Sequence, residues 1–533
     1  MWLYNRKHCK ENMFENEFTW GKAVSKNETE KFHSDFDNAV NQVKKELGKT
    51  YPIIINGKEI NSEDRFTVSS PADKKIKIAE FPSGTIDDAQ NAISSAKNAF
   101  EAWSNTPYQK RADIFKECAD AFSNQKFRLA AIMAFENGKN RFEAMGDLDE
   151  AIDFMRFYSY QLEKNEGFCK TTSHPDPHEK TQTVMKPFGV WGIIAPFNFP
   201  SAIAIGMSTG ALLTGNTAVL KPASDTPLSS FEFVKLVYPK LPAGAINFLT
   251  GSGSVVGKKI IESPDVDGIA FTGSREVGMS GFHEFTKNTT KPFISEMGGK
   301  NPVIVSKSAD LEKAANGVMK AAFGYGGQKC SACSRVYVQK EVLEEFERKL
   351  VEKTRNLKIG LPWEKDVFLG PIINEKAKKK FEDAAKLARQ DGKILTGGNT
   401  LQDSQFVDGI YVEPTIVSGL PNDHKLVKEE LFLPFLCIQE YDDFDDAIKK
   451  ANDVEYGLTA GIFSENKEQQ EKFFNKIQAG VVYLNREASA TTAALVSSQP
   501  FVGWKSSGST GKGAGGENYL QQFMRTQTQT RCD

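Results

Sequence analysis

An α/β protein with two parallel-sheet domains is what the sequence predicts, and two series of short apolar runs carry that prediction. In the first series, runs at 190–195, 217–220, 246–249, 268–271 and 293–295 are separated by stretches long enough for crossover helices. Buried strands joined this way form a helix-covered, Rossmann-like sheet of dinucleotide-binding type, because parallel neighbours need a long return connection. In the second, runs at 303–305, 336–338, 435–438, 458–463 and 481–484 repeat the pattern and predict a second α/β domain.

Ahead of the first series, residues 85–160 read as helical. Thr85-Ile-Asp-Asp88 resembles a capping box, and Ala89, Ala92, Ile93, Ala96, Phe100 and Trp103 recur on one face behind it. Further amphipathic helices are expected near 109–124, 127–137 and 149–162. The stretch 170–179 is polar and broken by Pro175 and Pro177, and 181–185 behind it reads as a projecting strand. Residues 506–516, rich in Gly and Ser, read as a flexible loop. Residues 187–220 carry no charge, but Pro196 and Pro200 interrupt any helix, and Asn198 and Asn216 are costly in hydrocarbon. A buried strand-turn-helix-strand is therefore expected there, not a membrane span.

Composition bounds the partners. With 67 Lys+Arg against 69 Asp+Glu, a net charge of −2 offers no field for nucleic acid or an anionic membrane. The seven cysteines, at 9, 118, 169, 330, 333, 437 and 532, are odd in number and scattered, which points to a reducing cytoplasm and away from a disulfide framework. The first 20 residues lack an apolar signal core, and Glu11, Glu15 and Glu17 do not suit a transit peptide.

Two glycine turns on neighbouring strands point to a nucleotide. Gly251-Ser-Gly253-Ser-Val-Val-Gly257 follows one strand and opens a helix, and Phe271-Thr-Gly273-Ser274 follows the next. Small residues there let a phosphate approach backbone N–H groups. Either turn alone is weak, and the first is one residue off the usual spacing. In Gly327-Gln-Lys-Cys330-Ser-Ala-Cys333 the thiols have three readings: half a zinc site, a redox pair, or one nucleophile beside a buried neighbour. No second ligand pair appears, since Pro175 and Pro177 prevent the helix that would align His174 with His178, so no metal is expected. Glu296 ends an apolar strand before Met-Gly-Gly-Lys, which sets a carboxylate where open α/β sheets bind ligands. Asn198 lies in a Pro-bracketed apolar turn, where its amide is either a turn former or an oxyanion donor.

Taken together and in order, seven motifs resemble the aldehyde dehydrogenase superfamily from about residue 85 to 525. They are Pro196-Phe-Asn-Phe-Pro200, Lys221-Pro-Ala-Ser224, Phe271-Thr-Gly-Ser274, Glu296-Met-Gly-Gly-Lys300, Gly327-Gln-Lys-Cys330, Glu430-Leu-Phe-Leu-Pro434 and Gln499-Pro-Phe-Val-Gly503. Within it, residues 327–335, Tyr483-Leu-Asn-Arg486 and Leu47-Gly-Lys-Thr-Tyr-Pro52 are similar to the branch that oxidises glutamate semialdehyde, the open form of 1-pyrroline-5-carboxylate, in proline catabolism. The resemblance implies that Cys330, not Cys333, is the nucleophile, that Asn198 and the Cys330 N–H hold an oxyanion, and that Glu296 activates water. For the cofactor, NAD or NADP, it implies Lys221 and Glu430 at the two riboses, Ser274 at the pyrophosphate and Phe432 at the nicotinamide ribose. Gly253, Gly257 and Gly273 complete the nucleotide turns.

At the substrate end the resemblance implies Ser331 together with a free backbone N–H pair at Gly515 and Gly516, and it sets Glu143 on the helix beside the aldehyde. For Glu143 a solvated helix face is the equal alternative. The implied division is a cofactor unit of 1–169 with 187–295, a catalytic domain of 296–505, and a small β oligomerisation element with the tail, 170–186 and 506–533, in a homo-oligomer. Departures touch substrate and cofactor preference. Ser224 stands where NAD-preferring relatives often carry Glu, Leu433 and Val502 replace glycines, and Met145 replaces an Asp. An acylating, coenzyme A-dependent relative is disfavoured by the presence of Glu296. A non-catalytic scaffold is disfavoured by Cys330, Asn198 and Glu296 together.

Overall fold

The uncharged stretch folds as strand Val190–Ile194, helix Ala202–Leu213 and strand Thr217–Lys221. Its polar interior residue explains itself: the Asn216 side chain accepts from the Gly189 N–H at 2.9 Å and donates to the Phe523 carbonyl at 2.9 Å. A buried amide with its partners made costs little, whereas an unpaired one costs about 1–3 kcal/mol. The structure, a computed structural model, describes residues 14–487 and 495–532. Cys9 and residues 1–13 of the segment read for a leader lie outside these. Among the described residues no helix is long and apolar enough to cross a membrane.

All five expected strands of the first sheet are present, in the order 293–296, 268–272, 190–194, 217–221, 246–248, and all run parallel. Two strands extend it that the sequence reading did not contain. The hairpin Ile53–Ile55 and Lys58–Ile60 adds antiparallel to Ile246–Phe248, giving seven strands. Three isoleucines in a row gave no alternation to read. A small sheet of Lys49–Thr50, Lys77–Pro82 and Arg65–Ser69 stands beside it. The second sheet also has seven strands. Lys393–Thr396 pairs antiparallel with Thr415–Ser418, and the parallel set continues through 435–441, 333–339, 301–305, 459–463 and 481–484.

The helices Ile86–Ser104, Tyr108–Asn124 and Lys126–Asn137 fall where the periodicity set them, the first opened by a Thr85 and Asp88 capping box. The fourth begins earlier than expected, at Arg141, because the Asn140 side chain accepts from the Phe142 and Glu143 N–H groups. That helix, Arg141–Lys164, carries both the substrate-side Glu143 and a buried face of Asp147, Phe154 and Tyr158. A third sheet, antiparallel, joins Cys169–Thr172, Glu179–Pro187 and the C-terminal Met524–Cys532.

Residues 506–516 are not the free loop their composition suggested. The buried Ser507 hydroxyl donates to the Gly298 carbonyl at 2.7 Å and accepts from the Gly457 N–H at 3.1 Å. The Ser509 hydroxyl accepts from the Ser295 N–H at 2.8 Å. Small hydroxyl side chains here replace missing strand partners, so a Gly- and Ser-rich stretch is fastened to the end of strand Phe293–Glu296, to Gly298 behind it and to Gly457.

Candidate active site

The loop bearing Cys330 is held by backbone geometry first. After helix Leu311–Phe323, Tyr325, Gly326 and Gly327 take φ of 50°, 62° and 65°. At Gly327 a Cβ would stand 2.2 Å from the Leu433 carbonyl oxygen, so only glycine fits. Asn301 then clamps the far side: its Nδ2 donates to the carbonyls of Cys330 at 2.7 Å and Ala332 at 2.9 Å, while its Oδ1 accepts from the Thr459 N–H at 3.0 Å. Gln328 is tied through its Oε1 to the Ile373 N–H at 2.9 Å. Cys333 opens strand Cys333–Gln339 and turns inward, with Sγ against the Arg335 carbonyl at 3.4 Å.

Asn198 reaches this loop from the first domain. It is 3% exposed, and its Nδ2 donates to the Gln328 carbonyl at 3.0 Å. An amide nitrogen carries two donors, so one N–H is left beyond that bond. Glu296 ends strand Phe293–Glu296, and its buried Oε2 has no hydrogen-bond partner. Burial pushes its carboxyl up to about 8. Burial also pushes the Cys330 thiol up to about 12, with the carboxylates of Glu430 and Glu296 adding to it. A buried carboxyl without a partner is rare in native folds and, in a cleft beside a thiol, marks chemistry.

The cofactor side is lined as a dinucleotide requires. Gly253 has open space where a Cβ would stand, and Gly257 backs onto the Lys221 side chain. Lys221 is 5% exposed with its Nζ donating to the Pro222 carbonyl at 2.9 Å, and burial lowers its ammonium to about 8. A desolvated ammonium with unused donors suits ribose hydroxyls. Ser224 donates to the Gly251 carbonyl at 3.2 Å, tying the turn after strand Thr217–Lys221 to the glycine turn at 251–257. Gly273 packs over the Phe271 ring, and Ser274 caps helix Arg275–Thr286 by accepting from the Val277 N–H. Glu430 accepts from the Gly299 N–H at 2.7 Å and is pushed by burial up to about 7. Phe432, at φ 62°, sets its ring edge-on to Phe197 at 5.8 Å. These residues fit an NAD(P) molecule: an open glycine turn, a buried cation and a half-buried acid offer the space and the polar groups that a dinucleotide needs.

On the substrate side one of the two readings of Glu143 falls, and one expectation is corrected. Glu143 is not a solvated face: it pairs with Lys329, the residue before the nucleophile, at 2.6 Å. The N–H pair of Gly515 and Gly516 is not free. Gly515 N–H donates to the Tyr158 hydroxyl at 2.9 Å, and Gly516 N–H to the Gly513 carbonyl at 3.2 Å. A tight turn closes on itself in preference to leaving two buried donors empty. Ser331 is buried, and its carbonyl accepts from the Thr459 hydroxyl at 3.2 Å. Sequence reasoning missed Asn301, Tyr158 and Ser507. Asn301 alone had a signal, an Asn at the entry of a buried strand.

A thiol, an unpartnered carboxylate and an amide donor thus meet between two parallel sheets, beside a glycine-lined cleft; the class this fold and site define is a nucleotide-dependent oxidoreductase. The chain belongs to the aldehyde dehydrogenase family, whose model matches residues 59–529. It is 38% identical over 499 residues to the 1-pyrroline-5-carboxylate dehydrogenase of Anoxybacillus flavithermus, covering 92% of this chain and 95% of that one. A 1-pyrroline-5-carboxylate dehydrogenase from Thermus, solved with bound NAD, superposes with a TM-score of 0.90 at 30% identity, covering 98% of this chain and 100% of that one. Proline utilization A from Bdellovibrio bacteriovorus gives a TM-score of 0.92 at 33% identity over 99% of this chain, which spans about half (54%) of that longer protein.

Proposed function

We propose that this chain oxidises glutamate semialdehyde to glutamate, in proline catabolism, through a thioester on Cys330. The observation that carries the reading is the buried, unpartnered Glu296 Oε2 in the same cleft as the Cys330 thiol. Cys330 sulfur bonds to the aldehyde carbon as its proton passes through the ionised Glu296 carboxylate to water, and the free N–H of Asn198 with the Cys330 N–H stabilises the oxygen as charge develops. NAD(P), when bound against Lys221, Ser224, Glu430 and Phe432, supplies the hydride acceptor and a cationic ring. With the carbon at the acid oxidation level, the ionised form of Glu296, increasingly populated as pH rises towards 8, takes a proton from water, whose oxygen bonds to that carbon while the carbon–sulfur bond breaks. The thiolate leaves and is reprotonated. An acylating enzyme would have no use for that carboxylate.

Ser224 repels no 2′-phosphate, and Lys221 beside it attracts one, so we read cofactor use as relaxed between NAD and NADP, within about a hundredfold. The free cysteines among the described residues suit a cytoplasmic location. The sheet of 169–172, 179–187 and 524–532 has mostly exposed faces and an open edge, which supports assembly into a homo-oligomer through it. The test is NADH and NADPH formation with glutamate semialdehyde, propanal and succinic semialdehyde. The reading predicts kcat/KM highest with glutamate semialdehyde by about tenfold or more. Equal or better turnover of either competitor would replace it with an aldehyde dehydrogenase for another small substrate.

A further inference from the structure

Residues 14–19 lie ahead of the stretch that the family model matches, 59–529, and run along helix Arg141–Lys164 as a strap. Thr19 donates its N–H and hydroxyl to Asp149, each at 2.6 Å. The Glu17 N–H donates to Asp153 Oδ1 at 2.9 Å, and the Phe14 ring meets Phe157 edge-on at 5.3 Å. Asn16 does something different. Its Nδ2 donates to Asp153 Oδ2 at 2.9 Å and also to the Val496 carbonyl at 3.0 Å, so both its donors are used and the helix is bridged to a loop 480 residues further on. That loop backs directly onto Gly515: the Ser497 N–H donates to the Gly515 carbonyl at 2.9 Å, and a Cβ on Gly515 would stand 3.1 Å from Val496 Cα. From the other side Gly515 is held by Tyr158, five residues along the helix from Asp153.

We infer that Asn16 is a positioning residue for the substrate end of the cleft: through Val496 it fixes the loop that carries Gly515 against the helix that carries Glu143. The role rests on the proposed reading together with the family resemblance, which sets the Gly515 loop at the amino-acid end of the semialdehyde, although the Gly515 and Gly516 N–H groups are themselves engaged within the fold. The strap is tethered elsewhere by Glu17, which pairs with Lys126 and Arg156, so losing Asn16 alone leaves it docked.

Asn16→Ala should raise KM for glutamate semialdehyde about fivefold, the equivalent of one lost hydrogen bond, with kcat and KM for propanal unchanged. Amides of 495–516 should exchange about tenfold faster in deuterium, while helix Ile86–Ser104 keeps its protection. Asn16→Gln, which keeps both donors, should recover part of each effect, and Asn16→Ser serves if the alanine variant does not fold. Thr19→Val loosens the strap but spares the bridge, and should change neither readout. Unchanged exchange, an unchanged KM despite faster exchange, an equal rise in KM for propanal, or an equal effect of Thr19→Val would each overturn the role. If the unmodified protein shows no preference for glutamate semialdehyde over propanal, the functional reading fails, and faster exchange at 495–516 still supports the bridge.

Discussion

Cys330 and Cys333 are three residues apart and chemically alike, yet their surroundings give them different work. Cys330 lies on a clamped loop beside Asn198 and Glu296, while Cys333 faces into the second sheet against the Arg335 carbonyl. Cys330→Ala should abolish aldehyde oxidation, and Cys333→Ala should keep most of it. Comparable losses in initial rate would point to a dithiol mechanism. Glu296 makes a second, pH-dependent prediction. Its carboxyl is raised from about 4.5 to about 8 by burial, so between these values the unfolded chain loses a proton that the folded chain keeps. Stability from this group is therefore fully present below pH 4.5 and falls as pH rises towards 8. Glu296→Gln carries no such penalty, and its stability advantage should grow by on the order of 2 to 4 kcal/mol between pH 5 and pH 9 in denaturant titrations. The same advantage at both pH values would mean that the carboxyl is not held neutral.

The elements that carry the site are short connections, and this decided what could be read. The five parallel strands and the turns after them were legible, because a buried strand followed by glycine leaves a plain pattern. Cys330, Glu296 and Asn198 were singled out from residue type and place, with Cys330 preferred over Cys333 only through the family resemblance. The Asn301 clamp, the Glu143 and Lys329 pair and the closed turn at Gly515 were not legible, since each joins residues distant in sequence. Gly326 and Gly327, both at positive φ, hold the Cys330 loop in a shape that other residues take only with strain. Gly327→Ala forces a Cβ to 2.2 Å from the Leu433 carbonyl and strains φ, so the Cys330 loop must move. We expect kcat to fall about a hundredfold, as for a misplacement near 1 Å, while the cofactor dissociation constant measured by fluorescence changes little. Retention of normal kcat would show that the loop has slack.

The two sheets make one reaction site because neither holds all of it: Asn198, Lys221 and Glu296 come from the first, Cys330 and Glu430 from the second. The third sheet stands apart from that site, and Met524–Cys532 forms its outer edge. Removing residues 526–533 should reduce the mass seen by light scattering towards that of a single chain while kcat per chain remains within about threefold, because the strand is largely exposed and pairs with Glu179–Pro187, not with a strand of the two larger sheets. An unchanged mass would locate the interface elsewhere. The most direct test of the central claim, that Cys330 forms a thioester which Glu296 clears, is rapid mixing of Glu296→Gln with NAD and glutamate semialdehyde, followed by intact-mass analysis. The account predicts a burst of about one NADH per active site, slow turnover afterwards and an acyl adduct on Cys330. A variant with neither burst nor adduct would contradict it and move Glu296 to the oxidation step itself.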